Sequence, residues 1–279
     1  MSDATQPLAA NARMYSVEPR SARAWQSFFA FVARQARVPL VPVELAPGAP
    51  LETLWRRDDL GCALMCGWPW ATWDTESGPR PQPLAVPVPD VAAAGHRPVY
   101  RTCIVVRDDA PFASLADLAG RRFAFTTPSS QSGYQAVRAH VAAHAVATGG
   151  HAFGTVIGPL VTPRRVVDAV LGGEADAGPL DSYWLAILEH NEPATAARLR
   201  VIESTPWTPM PLFVCAASVP PPAADALAEA LCAAGTASAL AEVRATLVLA
   251  DVARVVPASY AVLVDRARDA DARGYAVLQ

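Results

Sequence analysis

Residues 61–66, GCALMC, form an almost wholly apolar run with no alternation of polar and apolar positions. A strand buried on both faces of a parallel sheet reads this way, because helices cover it above and below. The neighbouring chain supplies that setting. Residues 13–17, around Met14-Tyr15-Ser16, read as a first strand. Pro19 and Ser21 then open a helix in which Trp25, Phe28, Phe29, Val32 and Ala36 recur at helical spacing. Pro39 ends it, residues 40–45 read as a second strand, and a helix over 51–57 leads into the apolar run. The order β-α-β-α-β is the doubly wound pattern of an α/β fold.

The same rhythm returns after an interruption. Residues 79–98 are rich in proline and hold a strand near 84–88, and residues 99–106 make a longer strand. Beyond them, SLADLAGRRFAFTTPSSQSGYQAVR (114–138) reads as short helix, glycine stop, strand, polar turn and longer helix. Ser114 is the expected cap and Gly120 the expected stop, with a strand over 122–126 closed by Pro128. A helix follows over 133–148 and a strand over 152–157. Thr162 and Pro163 then start a helix that ends at Gly172-Gly173. A strand over 175–179, a helix over 182–191 and a strand over 199–203 lead to the proline-studded crossing STPWTPMP and a returning strand over 212–217. From Pro222 onward the Ala-rich pattern predicts helix to the end, with Pro257 opening the last one.

Two β-α blocks joined by two extended segments, 99–106 and 205–217, predict an interleaved protein of two lobes. Residues 1–106 and 212–279 form lobe one and residues 107–211 form lobe two. A chain of 279 residues has room for both cores. Ligands of open α/β sheets sit at the carboxyl ends of the strands. Both lobes are therefore expected to present those ends to one cleft, with the crossings as its hinge.

Composition narrows the function. A net charge of −3 without a long basic run argues against nucleic acid as the main partner. No apolar run reaches the roughly 20 residues needed to cross a bilayer. The opening MSDATQPLAANAR shows no basic segment followed by an apolar one, so no secretory leader is read there. Cysteine is present five times, an odd number, and Cys62 and Cys66 would lie about 13 Å apart along one strand, too far to bridge. Cys103 and Cys215 fall in apolar strand patterns as buried free thiols, a usage that fits a reducing compartment. No P-loop, dinucleotide fingerprint or HExxH motif is present. His140 and His144 stand four apart on one helix face, but no carboxylate motif accompanies them, so neither metal nor cofactor is expected. Ser130 or Ser132 as a nucleophile would need a general base, and no histidine is placed by sequence to serve.

The segment VYRTCIVVRDDAPFASLADLAGRRFAFTTPSSQSGY (99–134) resembles the phosphonate-binding branch of the type 2 periplasmic solute-binding proteins of ABC transporters. In that family an SxSGY helix mouth holds the ligand's anionic group, and Ser130–Tyr134 match it here. The later VVDAVLGGEADAGPLDSYW (166–184) looks like a second segment of the family. Thr162-Pro163 departs from it, standing where the family commonly carries a Ser-His pair. The resemblance implies an α/β fold of two lobes, each a mostly parallel sheet flanked by helices, joined by two crossover segments. It also implies a monomeric solute-binding protein that closes on a small anion, a permease as its membrane partner, and a periplasmic location. The missing leader pattern leaves a cytoplasmic location as the alternative, and with it an enzyme or ligand sensor on the same scaffold.

Mapped onto strand ends, the expected ligand-binding residues are Tyr15, Trp68, Ser129, Ser130, Gln131, Ser132, Gly133, Tyr134, Thr162, Asp181 and Trp207. Small hydroxyl residues at a helix mouth leave N–H groups and a favourable dipole for an anion or carbonyl oxygen. Each residue has a plainer role open to it as well. Ser130, Ser132 and Asp181 can cap helices, Trp68 can pack beside Pro69, and Trp207 can pack at the hinge. Arg101, Arg107 and Arg138 are the nearest cations by sequence.

Overall fold

In the computed structural model, residues 6–46, 48–145 and 152–279 are described. The chain runs β1 (Leu8–Asn11), α1 (Pro19–Ala36), β2 (Leu40–Pro42), α2 (Glu52–Trp55), β3 (Leu60–Met65), α3 (Gly67–Ala71) and β4 (Gln82–Pro89). It continues through β5 (Val99–Tyr100), β6 (Thr102–Arg107), β7 (Arg122–Ala124), α4 (Ala136–Ala145), β8 (Thr155–Ile157), α5 (Pro163–Leu171) and β9 (Ala177–Asp181). Then follow α6 (Ser182–Asn191), α7 (Pro193–Ala196), β10 (Leu199–Ser204), β11 (Thr208–Pro209), β12 (Leu212–Cys215), α8 (Pro221–Thr236), α9 (Ala241–Thr246), β13 (Leu249–Ala253) and α10 (Ala261–Ala272). No single helix among the described residues is long and apolar enough to cross a membrane.

Two compact units result. The first takes the chain up to Val99 and again over Pro209–Ala258; the second takes Tyr100–Thr208 and Ser259–Gln279. The chain passes between them at β5 and β11, which pair as a two-stranded ribbon, and a third time after Ala258. The β-α pattern of the sequence predicts all of 212–279 in lobe one. The last segment instead joins the second unit, because Ala270, Tyr275 and Leu278 are buried in the same core as Val137 and Val141 of α4.

Unit one is a six-stranded sheet in the order β13-β4-β12-β3-β1-β2. The apolar run predicted to be doubly covered is β3, every residue of which is buried. It pairs parallel with β1 and antiparallel with β12, and β4 runs antiparallel to both β12 and β13. Helix α1 is fixed at its start by a capping box. Ser21 N–H donates to the Glu18 carboxylate at 2.6 Å and Glu18 N–H donates to Ser21 Oγ at 3.1 Å. Arg37 in the left-handed region ends it. Its apolar stripe packs on β12, with Phe28 stacked on Phe213 at 6.1 Å between centroids and Trp25 edge-on to Phe213 at 6.0 Å.

Unit two is a five-stranded sheet in the order β10-β6-β9-β7-β8. Strands β9, β7 and β8 are parallel, while β6 is antiparallel to β9 and to β10. Phe123 of β7 stacks on Phe153 at 4.0 Å in its core.

Four expectations change. Both sheets are mixed rather than mostly parallel, since each crossing strand re-enters its sheet against the direction of its neighbour. The first strand lies earlier, at Leu8–Asn11, and Arg13–Tyr15 form a 3₁₀ turn. Asn11 causes this: its Oδ1 accepts Arg13 N–H at 2.8 Å, which bends the backbone out of the sheet. The C-terminal stretch is not helical throughout, because β13 pairs with β4 through Leu249↔Pro89 and Val252↔Pro87. Pairing there overrides the helix preference of an alanine-rich sequence. The short helix after Ser114 is a 3₁₀ turn over Leu115–Leu118, capped as expected by Ser114 with Asp117 reaching back.

Candidate functional site

The carboxyl ends of the three parallel strands of unit two each lead into a helix. β7 leads to α4 by way of a π-helical turn over Gln131–Gln135, β8 leads to α5, and β9 leads directly to α6. Parallel strands followed by helices put the three helix N-termini on one edge of the sheet. The loops bind this edge together. Leu160 N–H donates to Phe125 O at 3.0 Å and Val161 N–H to Thr126 O at 2.9 Å. Thr102, opposite Asp181 in the β6–β9 register, donates its hydroxyl to Ser132 O at 3.0 Å.

The three mouths differ in what they leave available. At α6 the first turn is satisfied internally. Ser182 N–H donates to Arg101 O at 2.9 Å, and Tyr183 and Trp184 N–H donate to Asp181 Oδ1 at 2.7 and 3.1 Å. Asp181 thus acts as the N-cap of α6, one of the two roles open to it. At α5, Thr162 Oγ1 accepts Arg165 N–H at 3.3 Å, and Pro163 has no N–H to offer. Val161 beside it has φ of 70°, a left-handed conformation that a β-branched residue adopts only under strain.

The mouth of α4 is built differently. Ser130 Oγ accepts Gly133 N–H at 2.9 Å, and the main-chain bond from Gln135 N–H to Ser130 O spans five residues. Such a wide turn leaves the first N–H groups, that of Ser132 among them, without a carbonyl one turn back. A Cβ on Gly133 would lie 1.8 Å from Thr126 Oγ1, so only glycine lets the turn close against β7. Thr126 is 4% exposed, and its hydroxyl has no hydrogen-bond partner among the described residues. A buried hydroxyl in that condition calls for a further partner, such as a ligand group or water.

Arg101 is a cation at the same edge. Its guanidinium lies 4.8 Å from the ring centroid of Trp207, and Arg101 N–H donates to Ser182 Oγ at 3.1 Å. Trp207 is half-buried and its carbonyl accepts from Arg266 Nη1 at 3.1 Å; burial pushes the pKa of Arg266 down. Cys103, next along β6, is pushed up to about 11, chiefly by burial, which keeps its thiol protonated.

Of the eleven residues expected from sequence, nine belong to unit two. Ser129, Ser130, Gln131, Ser132 and Gly133 form the α4 mouth, and Thr162, Asp181 and Trp207 lie at the same sheet edge. Tyr134 belongs to the mouth by sequence only. Its ring packs edge-on to Phe125 at 5.2 Å and its hydroxyl accepts Leu278 N–H at 2.9 Å, so its polar end is engaged in the core. Tyr15 and Trp68 are in unit one. Tyr15 is 1% exposed, the consequence of the turn that replaces the predicted strand, and its carbonyl accepts Trp25 Nε1–H at 3.1 Å. Trp68 is half-buried in α3 at the carboxyl end of β3.

Sequence reasoning missed Thr102 and Thr126, single threonines in strand patterns that only the sheet register brings to the mouth. Arg138, one of the nearest cations by sequence, is 3% exposed. Arg107 points to a different end of the sheet, where it pairs with Asp109 at 2.9 Å. His140 Nε2 lies 3.7 Å from Glu203 Oε1, and the side chain of His144 lies outside the described residues.

An α/β protein of two units, with a helix mouth at the carboxyl edge of one sheet, has the architecture in which small ligands are held at strand ends. The comparisons agree. The profile of the family described as "ABC transporter, phosphonate, periplasmic substrate-binding protein" matches residues 15–263, and the chain belongs to that family. Its fold is similar to that of the binding-protein component of an ABC phosphonate transporter from Pseudomonas aeruginosa. The two are 18% identical with a TM-score of 0.79, over 96% of this chain and 88% of that one. It is also similar to PhnD1 from Prochlorococcus marinus in complex with methylphosphonate, at 16% identity and a TM-score of 0.74 over 96% and 99% of the two chains. A Xanthomonas citri protein bound to ATP aligns at 15% identity and a TM-score of 0.63, over 96% and 98%. No curated protein matches the sequence.

Proposed function

We propose that the chain binds a small oxyanion of the phosphonate or phosphate kind at the mouth of α4, and delivers it as a monomer to the permease of an ABC uptake system. The α4 mouth carries this reading. It combines first-turn N–H groups, the positive end of a helix dipole, the buried Thr126 hydroxyl and a turn that excludes any side chain at position 133. A hydrogen bond to a charged group contributes about 1.5–3 kcal/mol and a helix N-terminus about 0.3–1 kcal/mol more. Such bonds therefore favour a charged oxyanion over a neutral isostere. One oxygen of the Asp181 carboxylate accepts from the first turn of α6, which disperses part of its charge there. Family membership and the methylphosphonate held by PhnD1 support the same ligand chemistry.

A thermal-shift series with methylphosphonate, inorganic phosphate, methanesulfonate and acetate tests the proposal. Binding stabilises by mass action, by about 2.7 kcal/mol at a ligand concentration of 100 Kd. Methylphosphonate and phosphate should raise Tm most, and Ser130→Ala should shrink the rise. No shift with any of the four anions would overturn the reading.

A further inference from the structure

Arg138 sits on α4, about one and a half turns past the candidate ligand loop, and most of its bonds point away from that loop. Its guanidinium donates from Nη1 to Asp271 Oδ1 at 2.5 Å and to Tyr275 O at 2.8 Å, and from Nη2 to Ala267 O at 3.3 Å. All three acceptors belong to α10 or the turn after it. The remaining donor, Nε, reaches Gln135 Oε1 at 3.0 Å. Gln135 in turn donates from Nε2 to Pro128 O at 2.8 Å, at the start of the loop that forms the α4 mouth.

An arginine fork is rigid and planar, so fixing two of its edges fixes the third. Gln135 has one acceptor and one amide donor group, and both are used in this chain of bonds. Asp271 is 56% exposed and contributes little as an ion pair alone. The two main-chain carbonyls and Gln135 are what make burial of the guanidinium tolerable. We propose that Arg138 and Gln135 form a positioning relay through which the C-terminal helix α10 sets the conformation of the loop from Pro128 to Gly133. The proposal deepens the reading of that loop as the anion site and rests on it for its functional consequence.

Gln135→Leu tests it with little risk to folding, because Arg138 keeps its three acceptors on the C-terminal segment. Amide hydrogen exchange over Ser130–Gln135 should quicken about fivefold, the loss of one neutral hydrogen bond, while exchange over Ala267–Asp271 stays within about twofold. The Kd for methylphosphonate should rise by a similar factor of about five. Gln135→Glu keeps an acceptor for Arg138 but removes the donor to Pro128, and it should loosen the loop as Gln135→Leu does. Unchanged loop exchange in Gln135→Leu, equal acceleration throughout α10, or a Gln135→Glu variant that behaves as wild type would each overturn the relay. If the wild-type protein binds neither methylphosphonate nor phosphate, the ligand reading fails, while the exchange measurements still decide the relay.

Discussion

Gly133→Ala tests the geometry of the α4 mouth most directly. The added Cβ would sit 1.8 Å from Thr126 Oγ1, 2.9 Å from Thr126 Cβ and 2.9 Å from Ser130 Oγ. Comfortable contact between heavy atoms begins near 3.5 Å, so the turn must move by well over 1 Å or Thr126 must give way. Thr126 is packed at 4% exposure and cannot swing into solvent. Overpacking of this kind costs about 1–3 kcal/mol, and displacing Ser130 Oγ from Gly133 N–H adds roughly 1 kcal/mol for a lost cap. Alanine returns about 1 kcal/mol through its better helix propensity. The net expectation is a loss of about 1–3 kcal/mol, read as a lower urea midpoint, together with loss of the anion-induced thermal shift. Thr126→Ala supplies the control. It removes the clashing oxygen, and that oxygen has no partner among the described residues to lose. The double variant should therefore recover at least half the stability lost in Gly133→Ala, with a favourable coupling of about 1 kcal/mol. Gly133→Ala within about 0.5 kcal/mol of wild type, or a double variant with no coupling, would refute the reasoning.

Other perturbations separate folding roles from binding roles. Asp181→Ala removes the acceptor of two N–H groups in α6 and should lower stability by about 1–2 kcal/mol in urea unfolding, yet leave the relative Tm rise with phosphate intact. Asp176 is held below its ordinary 3.8 chiefly by its hydrogen bond with Arg122, so its contribution is complete above that pH. The contribution is lost as pH falls through the lowered value. Asp176→Asn should thus lower stability in the neutral region, where the contribution is complete, and flatten the acid limb of the stability curve. Thiol labelling of the native protein should modify Cys232 first. Cys62 and Cys215 are fully buried, and burial pushes the thiol of Cys215 up to about 12. Urea should release all five thiols of the chain; rapid native labelling of Cys62 or Cys215 would contradict the packing of β3 against β12.

The α/β class and the order of most elements were legible because the helix starts carry local signals that packing did not override. Thr162 with Pro163, Asp181 before Ser182 and Ser130 before Gly133 all act as caps where the sequence put them. The failures share a cause. Leu249–Ala253 has the composition of a helix and becomes a strand because β4 offers an unpaired edge far away in sequence. Residues 13–17 alternate like a strand, but Asn11 turns the chain before they reach the sheet. Thr102 and Thr126 reach the candidate site through register, and Arg138 leaves it through a bond to α10; neither fact has a local signature.

The candidate site itself was legible as a loop and not as a chemical object. Nearly every residue type has an N–H, so the sequence encodes the mouth of α4 mainly by what it withholds. Gly133 withholds a Cβ, and the five-residue turn withholds the carbonyls that would otherwise occupy the first N–H groups. Recognition built from main-chain dipoles reads charge and shape near the mouth, while the organic part of a ligand must be read by side chains. On the edge that the three helix mouths share, Trp207 and Arg101 offer both surface and charge. Because Arg101 lies over the face of Trp207, changing either one alters the position of the other. Selectivity among phosphonates should therefore respond to the pair as a unit, with non-additive effects of single substitutions.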